Sequence, residues 1–357
     1  MTSVDDFNYD LPEHLIAQKP TEPRDAARLL YLDRTSGDIR HGVFQDLIDE
    51  LKTDDLLVLN KTKVFKARLI ARAIDRNLGE LEIVLLHEIK RDRETSTWEI
   101  LLKHMRKLRI GDRLQIGDEI AEIVSKNPEG GTAVISFQTT YETVLQLTDK
   151  LGEVPLPPYI NTELDDLGDY QTVYAETVGS VAAPTAGLHF TDDLMSALKK
   201  KGVQFEFITL HVGLGTFQPM WFDTIEEHQM HSEFVEIDAG TAGRINMAKK
   251  EGRRIIAVGT TSTRSLEGAI TPDPHDAIDT PVFLPPNGFT GDVNIFIKPG
   301  YKFNIIDGII TNFHLPRTTL MVLVSAFTGH EYVMDAYKEA IKEEYRFYSF
   351  GDAMLIV

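Results

Sequence analysis

The sequence predicts an α/β protein: an α/β body with a largely parallel sheet and an inserted small antiparallel β-barrel domain. Strands and helices alternate from about residue 159 to the end, which is typical of a parallel sheet covered by helices. From 64 to 155 the chain instead shows short strands separated by turn signals, as in the hairpins of a small barrel. We therefore assign residues 1–62 and 159–357 to the body and residues 63–158 to the barrel. Two consecutive domains are the alternative that the sequence leaves open.

Several elements of the body carry clear boundary signals. The segment DDLMSALKKKGV predicts a helix capped by Thr191 and stopped by Gly202, with acids in its first turn and lysines in its last. The segment TTLMVLVSAFTG is apolar on every side and predicts a buried helix. RRIIAVG predicts a buried strand that turns directly into a helix capped by Thr260, Thr261 or Ser262.

Composition excludes several classes of protein. The 357 residues carry a net charge of -18 and include no cysteine, so disulfides, thiolate zinc sites and cysteine nucleophiles are excluded. The acidic start MTSVDDFNYDLPEHL lacks the apolar core of a signal peptide, and the run LMVLVSAF is far too short to span a bilayer. We expect a soluble cytoplasmic protein with no membrane association. The chain shows no long apolar stripe or heptad, which favours a monomer without an obligate protein partner.

Two basic clusters interrupt the acidic chain. Such clusters in one region favour a polyanion that docks at one place, and two solvated faces are the alternative. The first runs from 61 to 72 without an acid, and the second from 103 to 113 contains Asp112 as its only acid. The residues that we predict to contact such a polyanion are Lys61, Lys63, Lys66, Arg68, Lys103, Arg106, Lys107 and Arg109.

Three loops that follow predicted strands have the composition of ligand-binding loops, since ligands of open α/β sheets bind at the carboxyl ends of strands. SVAAPTAGLHFT (180–191) concentrates small residues, which lets a flat ligand approach the backbone; tight packing of the loop is the alternative. LHVGLGTFQP (210–219) lacks the third glycine of a dinucleotide site and carries a proline where a helix is required. VGTTSTRSLE (258–267) opens a helix whose free N–H groups suit a carboxylate. The predicted substrate-binding residues are Ala183, Thr185, Ala186, Gly187, Gly213, Gly215, Thr260, Thr261 and Arg264.

Among these residues, Arg264 occupies an unusual position for a cation. Arg264 is expected in the first turn of its helix, where the helix dipole disfavours a cation, so we infer a ligand or ion-pair role.

The segment EEHQMHSE places His228 and His231 three residues apart, a spacing that two metal ligands can use on a helix. The sequence specifies no third ligand, so we predict no metal site and keep a metal-dependent hydrolase or lyase as the alternative function.

Longer strings resemble one family. FNYDLPEHLIAQKP (7–20), GSVAAPTAGLHFT (179–191), TLHVGLGTFQP (209–219), HQMHSEF (228–234) and TNFHLPRTTLMVLVSAF (311–327) resemble the S-adenosylmethionine:tRNA ribosyltransferase-isomerases of queuosine biosynthesis. The resemblance covers nearly the whole chain in order. Departures from the family pattern are mild, and they are Ala27, Lys61, Thr263 and Thr318.

The resemblance implies a body with an inserted barrel and a specific reaction. The ribosyl part of S-adenosylmethionine moves to the aminomethyl group of 7-aminomethyl-7-deazaguanine in tRNA and rearranges to give epoxyqueuosine, while adenine and methionine leave. S-adenosylmethionine is thus a consumed cosubstrate, and the resemblance implies neither a cofactor nor a metal. The expected partners are that tRNA and S-adenosylmethionine. A non-catalytic tRNA-binding module is a further alternative, although it has no need of so many glycine- and hydroxyl-rich loops.

The implied chemistry selects candidate acids and bases. The sulfonium acidifies the neighbouring sugar carbon, adenine leaves more easily when protonated, and the amine attacks only when neutral, so the site needs a base and an acid. Histidine and carboxylate side chains in the matched strings are the natural groups. We assign proton transfer to His211 and Glu233, with His189, His231 and His314 as weaker candidates.

Overall fold

The computed structural model describes residues 2–102, 105–127, 131–161, 167–213, 220, 222–230, 232–270 and 282–357. The chain divides into two compact units. The first, called the body, comprises Met1–Thr62, Pro158–Thr177 and Ala183–Val357. The second, called the barrel, comprises Lys63–Pro157 and Val178–Ala182.

The described residues form seventeen strands and seven α-helices. The strands are β1 Arg28–Leu32, β2 Ile39–Val43, β3 Leu56–Asn60, β4 Thr62–Val64, β5 Arg68–Ala73, β6 Glu80–Arg91, β7 Ser96–Leu102, β8 Arg113–Ile116, β9 Glu119–Asn127, β10 Thr132–Phe137, β11 Thr177–Ser180, β12 Gln204–Leu210, β13 Glu233–Ile237, β14 Ile255–Val258, β15 Phe289–Val293, β16 Gly308–Asn312 and β17 Ala353–Ile356. The helices are α1 Leu47–Glu50, α2 Tyr141–Leu151, α3 Asp192–Lys201, α4 Ala239–Lys250, α5 Gly259–Gly268, α6 Thr319–Thr328 and α7 His330–Lys342.

The body contains a mixed sheet, with nine strands among the described residues, in the order β15-β13-β12-β3-β14-β16-β17-β1-β2. Its central strands β12, β3, β14 and β16 are parallel, and so are β17 and β1. The remaining neighbours pair in antiparallel fashion. Every residue of β3, β14 and β16 is buried, as expected where helices cover both faces of a parallel sheet. The predicted α/β body is confirmed, and its parallel part lies at the centre of a mixed sheet.

The barrel is closed by six antiparallel strands in the order β10-β7-β6-β5-β8-β9. Burial alternates along β7 and β10, so every second side chain fills the interior. Trp98 lies in this interior and its indole N–H donates to Ser96 Oγ at 2.7 Å. The predicted barrel is therefore confirmed, and its core is built from the alternating strands of segment 64–155.

Helix boundaries match the sequence in one case and differ in another. Thr191 caps α3 by accepting from the backbone N–H of Leu194, and Gly202 ends it in the left-handed conformation, as predicted. The predicted capping of α5 by Thr260, Thr261 or Ser262 is wrong. Gly259 has φ +88°, which lets the chain turn from β14 into α5 within one residue, so the three hydroxyl residues fall inside the first turn. The same shift places Arg264 in the second turn.

Candidate active site

An open pocket of about 600 Å³ lies in the body, where β12, β14 and β16 end. Because these strands belong to the parallel centre of the sheet, their carboxyl ends meet at one edge, the usual ligand site of such sheets. The pocket is lined by Tyr159, Ala183, Pro184, Thr185, Ala186, Val212, Gly259, Thr260, Thr261, Thr311, Asn312, Phe313, His314, Leu315, Thr318, Leu320, Tyr348 and Ser349.

Small residues form one part of the wall, as the sequence predicts. A short 3₁₀-helix spans Thr185–His189, and Ala183, Thr185 and Ala186 line the pocket. Gly187 does not line it. A Cβ added at Gly187 would lie 1.9 Å from the hydroxyl of Tyr174, so this glycine is required by packing against that tyrosine. The loop therefore both lines the pocket and packs tightly, which are the two roles that its small residues allowed.

The amide of Asn312, at the end of β16, connects two other polar side chains. Thr185 Oγ1 donates to Asn312 Oδ1 at 3.0 Å, and Asn312 Nδ2 donates to His189 Nε2 at 3.2 Å. His189 lies against the ring of Phe44, with centroids 4.9 Å apart. Burial lowers the pKa of His189 to about 4, so its ring is neutral near pH 7 and accepts the amide hydrogen. His189 thus holds Asn312 in one orientation, with the amide facing the pocket.

His314 has a second set of partners. Its Nε2 lies 3.0 Å from Thr311 Oγ1, and its Nδ1 lies 3.3 Å from the hydroxyl of Tyr337. The same hydroxyl accepts from the backbone N–H of His314 at 2.9 Å, so the tyrosine proton is directed to Nδ1. Burial lowers the pKa of His314 to about 3, and the ring is neutral near pH 7. This side of the pocket presents hydrogen-bonding groups without charge.

A buried ion pair contacts Gly213, the residue that follows Val212 of the pocket lining. Arg264 Nη1 contacts Glu233 Oε2, and the two side chains are only 5% and 4% exposed. The backbone N–H of Gly213 points at Glu233 Oε1 from 3.4 Å. Nε and Nη2 of Arg264 have no hydrogen-bond partner among the described residues. Arg264 is thus the ion-pair partner of the carboxylate that we predict to transfer protons.

His211 is positioned by the end of β3. The side chain of Asn60 pairs with both backbone groups of Leu210, at 2.9 and 3.0 Å, and fastens the end of β12 to β3. His211 follows, with Nδ1 2.9 Å from Thr62 Oγ1 and its ring stacked on Phe234. His211 and Gly213 flank Val212, which lines the pocket. The two main catalytic candidates, His211 and Glu233, therefore adjoin the same stretch of wall.

The first turn of α5 contributes Gly259, Thr260 and Thr261 to the pocket. Val258, in the N-cap position, offers no side-chain cap, so the first amides of the helix are not capped by a side chain. The hydroxyl of Thr261 is buried and finds no partner in the described part of the chain. These groups remain candidates for binding a polar part of a ligand.

Some predicted residues lie outside the described residues: Lys103, Gly215, His231 and the side chain of Arg106. His228 lies between the rings of Phe222 and Phe296. Within the described ranges no group of three His, Asp or Glu side chains is arranged to hold a metal ion. In the same ranges no helix is both long and apolar enough to cross a membrane.

The predicted RNA-binding residues differ in their surroundings. In the body, Lys61 Nζ pairs with Glu176 Oε2 at 2.8 Å. In the barrel, Lys66 Nζ donates to the backbone carbonyl of Asp149 at 3.1 Å, and Arg68 is half-buried. The exposed members of the set are Lys63, Lys107 and Arg109.

Comparison with known proteins identifies the family of the chain. A family described as "Queuosine biosynthesis protein" matches residues 4–356. The chain belongs to this family. A Staphylococcus haemolyticus protein and a Staphylococcus aureus protein, both named S-adenosylmethionine:tRNA ribosyltransferase-isomerase, are each 49% identical over 99% of this chain and 100% of their own length. A crystal structure of S-adenosylmethionine tRNA ribosyltransferase from Thermotoga maritima is 36% identical, covers 99% of this chain and 100% of that one, and superposes with a TM-score of 0.55.

The family prediction made from the sequence is thus confirmed. Sequence reasoning missed Asn312, Thr311, Tyr159 and Tyr348, all of which line the pocket. Asn312 carried a usable signal, since a polar residue at the last position of a buried strand belongs to the ligand edge of the sheet. The tyrosines carried none, because their approach to the pocket depends on how distant segments pack.

Proposed function

We propose that this chain catalyses the reaction in the name of its relatives: transfer and isomerisation of the ribosyl part of S-adenosylmethionine onto a tRNA base. The acceptor is the aminomethyl group of 7-aminomethyl-7-deazaguanine, the product is epoxyqueuosine, and adenine and methionine are released. The protein is cytoplasmic, acts without a cofactor or an obligate protein partner, and consumes S-adenosylmethionine. The observation that supports this proposal best is the pocket at the strand ends, whose lining residue Val212 is followed by Gly213, a hydrogen-bond donor to the buried carboxylate of Glu233.

The pocket has the properties that the donor requires. S-adenosylmethionine carries a sulfonium cation and a flat base. The pocket has an uncharged lining, and the carboxylate of Glu233 accepts from Gly213, the residue after Val212 of that lining. Carbanion character develops next to the sulfonium when a base removes the neighbouring proton. We assign that base to Glu233 or His211. The neutral groups of Asn312, Thr311 and His314 orient the sugar and the base without competing for the proton.

The acceptor base must leave its stack to reach the ribosyl carbon of the donor, since a stacked base is inaccessible. The exposed cations Lys63, Lys107 and Arg109 of the barrel supply phosphate contacts for the tRNA. These contacts fix the register of the tRNA, whereas the body supplies the chemistry.

A single-turnover experiment tests the function. The protein is mixed with S-adenosylmethionine, labelled in both adenine and ribose, and with tRNA that carries the aminomethyl base. We expect stoichiometric free adenine and ribose label in the tRNA. The matched control is the same tRNA with guanine at that position, which lacks the nucleophilic amine and should receive no ribose label. Absence of adenine release with the modified tRNA would exclude the proposed reaction.

A further inference from the structure

One pocket residue has an unusual backbone conformation. Tyr348 has φ +72°, in the left-handed region that disfavours side chains with a Cβ. Three other described non-glycine residues share a positive φ, namely Asp54, Arg317 and Glu344, but none of them lines the pocket. For a bulky aromatic residue this conformation is a real outlier, which is typical of functional sites.

The surrounding chain fixes Tyr348 in this conformation. Its backbone N–H donates to the carbonyl of Phe313 at 3.1 Å, and its carbonyl accepts from Gly351 at 2.9 Å. The preceding N–H, of Phe347, donates to Leu15 at 2.8 Å. A glycine would adopt the same torsions without strain. The chain instead carries a tyrosine, so the ring has a use that offsets the strain.

The ring belongs to an aromatic part of the pocket wall. Tyr348 and Tyr159 both line the pocket, and their ring centroids lie 4.7 Å apart at 52°. The hydroxyl of Tyr159 is 2.6 Å from Ser349 Oγ, which fixes the second ring. The lining also contains small residues, such as Ala183, Ala186 and Gly259, and further apolar side chains, among them Phe313, Leu315 and Leu320. Aromatic rings in a mostly apolar wall that small residues keep open form a site for a flat heteroaromatic group.

Charge decides which flat group fits. The residues that line the pocket include no Lys, Arg, Asp or Glu. A nucleotide of RNA arrives with phosphates on both sides and needs cations near its base. The adenine of S-adenosylmethionine is uncharged and has no phosphate, and the donor as a whole is attracted by an acidic protein of net charge -18.

We propose that Tyr348 is a specificity-determining residue whose ring stacks on the adenine of S-adenosylmethionine, and that its strained backbone places the ring there. The inference rests on the proposed function and identifies where the leaving base binds. The neutral ring of adenine then lies against an aromatic face while the sulfonium end of the donor extends along the pocket.

The test separates the ring from the backbone. Tyr348→Gly and Tyr348→Asn both suit a left-handed residue and remove the ring. We expect each to raise the KM for S-adenosylmethionine roughly 5- to 150-fold, the range measured for stacking of a base on an aromatic side chain. The KM for tRNA should change less than threefold. The melting temperature should fall, because Tyr348 is only 5% exposed and its removal leaves a cavity, so the KM values are compared below the melting temperature of the variants. Tyr348→Phe keeps the ring and should recover most of the lost donor affinity.

Glu344→Gly is the matched control, because Glu344 has φ +56° but is exposed and does not line the pocket. It should relieve strain equally and leave both KM values unchanged. A raised KM for tRNA with an unchanged KM for the donor would assign the ring to the RNA base and overturn the proposal. Failure of both ring-less variants to fold would also overturn it, because the ring would then serve packing. Wild-type adenine release in the same assay keeps these outcomes distinct from failure of the proposed function.

Discussion

The body and the barrel differ in where they keep their polar groups. Among the described residues, the only polar side chains that the barrel buries carry hydroxyls, and they belong to Ser96, Thr148 and Ser180. The body buries carboxylates, an arginine and two histidines, including Glu233, Arg264, His189 and His314. Since burying a charged or titratable group is unfavourable unless it is paired, the body keeps such groups where they have specific partners. This difference assigns the chemistry to the body.

Net charge separates the same two units. The barrel segment 63–157 has 15 Lys and Arg residues against 15 Asp and Glu residues, whereas the rest of the chain has 22 against 40. The whole charge of -18 therefore belongs to the body. A neutral barrel can approach a polyanion, and an acidic body attracts a cationic donor. The following predictions, from the largest effect to the smallest, test this division of labour.

The largest effect is expected at the buried ion pair. Glu233→Gln removes the candidate base and leaves Arg264 buried without its charge partner, so we expect kcat to fall about 10²- to 10⁴-fold and stability to fall by about 3–5 kcal/mol. Adding Arg264→Met should restore much of the stability, measured by chemical denaturation, but not the rate, measured by adenine release.

A matched control lies at the amino ends of two central strands, β3 and β14. Asp55 and Arg254, which precede β3 and β14, form another ion pair, with contacts of 2.5 and 2.9 Å. Asp55→Asn should lower stability and leave kcat within a few-fold of the parent. If the double variant of Glu233 and Arg264 regained full kcat, Glu233 would have only a structural role.

The second effect concerns pH. Because burial lowers the pKa of His189 from 6.5 to about 4, the unfolded chain binds a proton below pH 6.5 that the folded protein does not. The stability of the folded protein should therefore fall as pH drops from about 6.5 towards 4, with a contribution from His189 of roughly 3 kcal/mol over that window. Denaturation curves between pH 8 and 5 should show a shallower dependence for His189→Gln.

The barrel supplies the control for this pH dependence. His87 lies on β6 with its side chain 38% exposed, near Glu99. His87→Gln removes a histidine of the barrel and is the reference variant in the same measurement. An identical slope for wild type and His189→Gln would show that His189 does not contribute to the pH dependence.

A smaller effect is expected from the pocket amide. Asn312→Ala removes the acceptor of Thr185 and the donor to His189, so kcat/KM should fall roughly 5- to 150-fold, the equivalent of 1–3 kcal/mol for a buried unsatisfied partner. Asn304→Ala, which removes an exposed hydrogen bond to the carbonyl of Lys302, is the control. Equal kcat/KM values for the two variants would show that Asn312 does not contribute to the site.

The smallest effect is expected on the barrel. The double variant Lys107→Glu/Arg109→Glu should raise the KM for tRNA about 3- to 10-fold and make the dependence of log K on log salt shallower by roughly 1 to 2 units, with kcat changed less than twofold. Lys90→Glu, at a residue already paired with Asp92 at 2.7 Å, controls for charge reversal elsewhere on the barrel. An unchanged salt dependence in the double variant would place the tRNA on another surface.

The sequence by itself determined the family, the fold class and the positions of the strand-end loops. These follow from local patterns: alternation in β7 and β10, continuous apolar runs in β3 and β14, and the cap and stop of α3 by Thr191 and Gly202. It also selected Ala183, Thr185 and Ala186, because small residues after a strand are a local signal.

Only the tertiary structure decided which residues of distant segments contact one another. It paired Glu233 with Arg264, joined Thr185 to His189 through Asn312, and started α5 at Gly259 rather than at a threonine cap. It also placed Tyr348 in a left-handed conformation at the pocket wall. The physical reason is that ion pairing, desolvation and backbone strain depend on neighbours that lie tens to hundreds of residues away. A sequence pattern contains the residue types for such contacts, but packing alone chooses their partners.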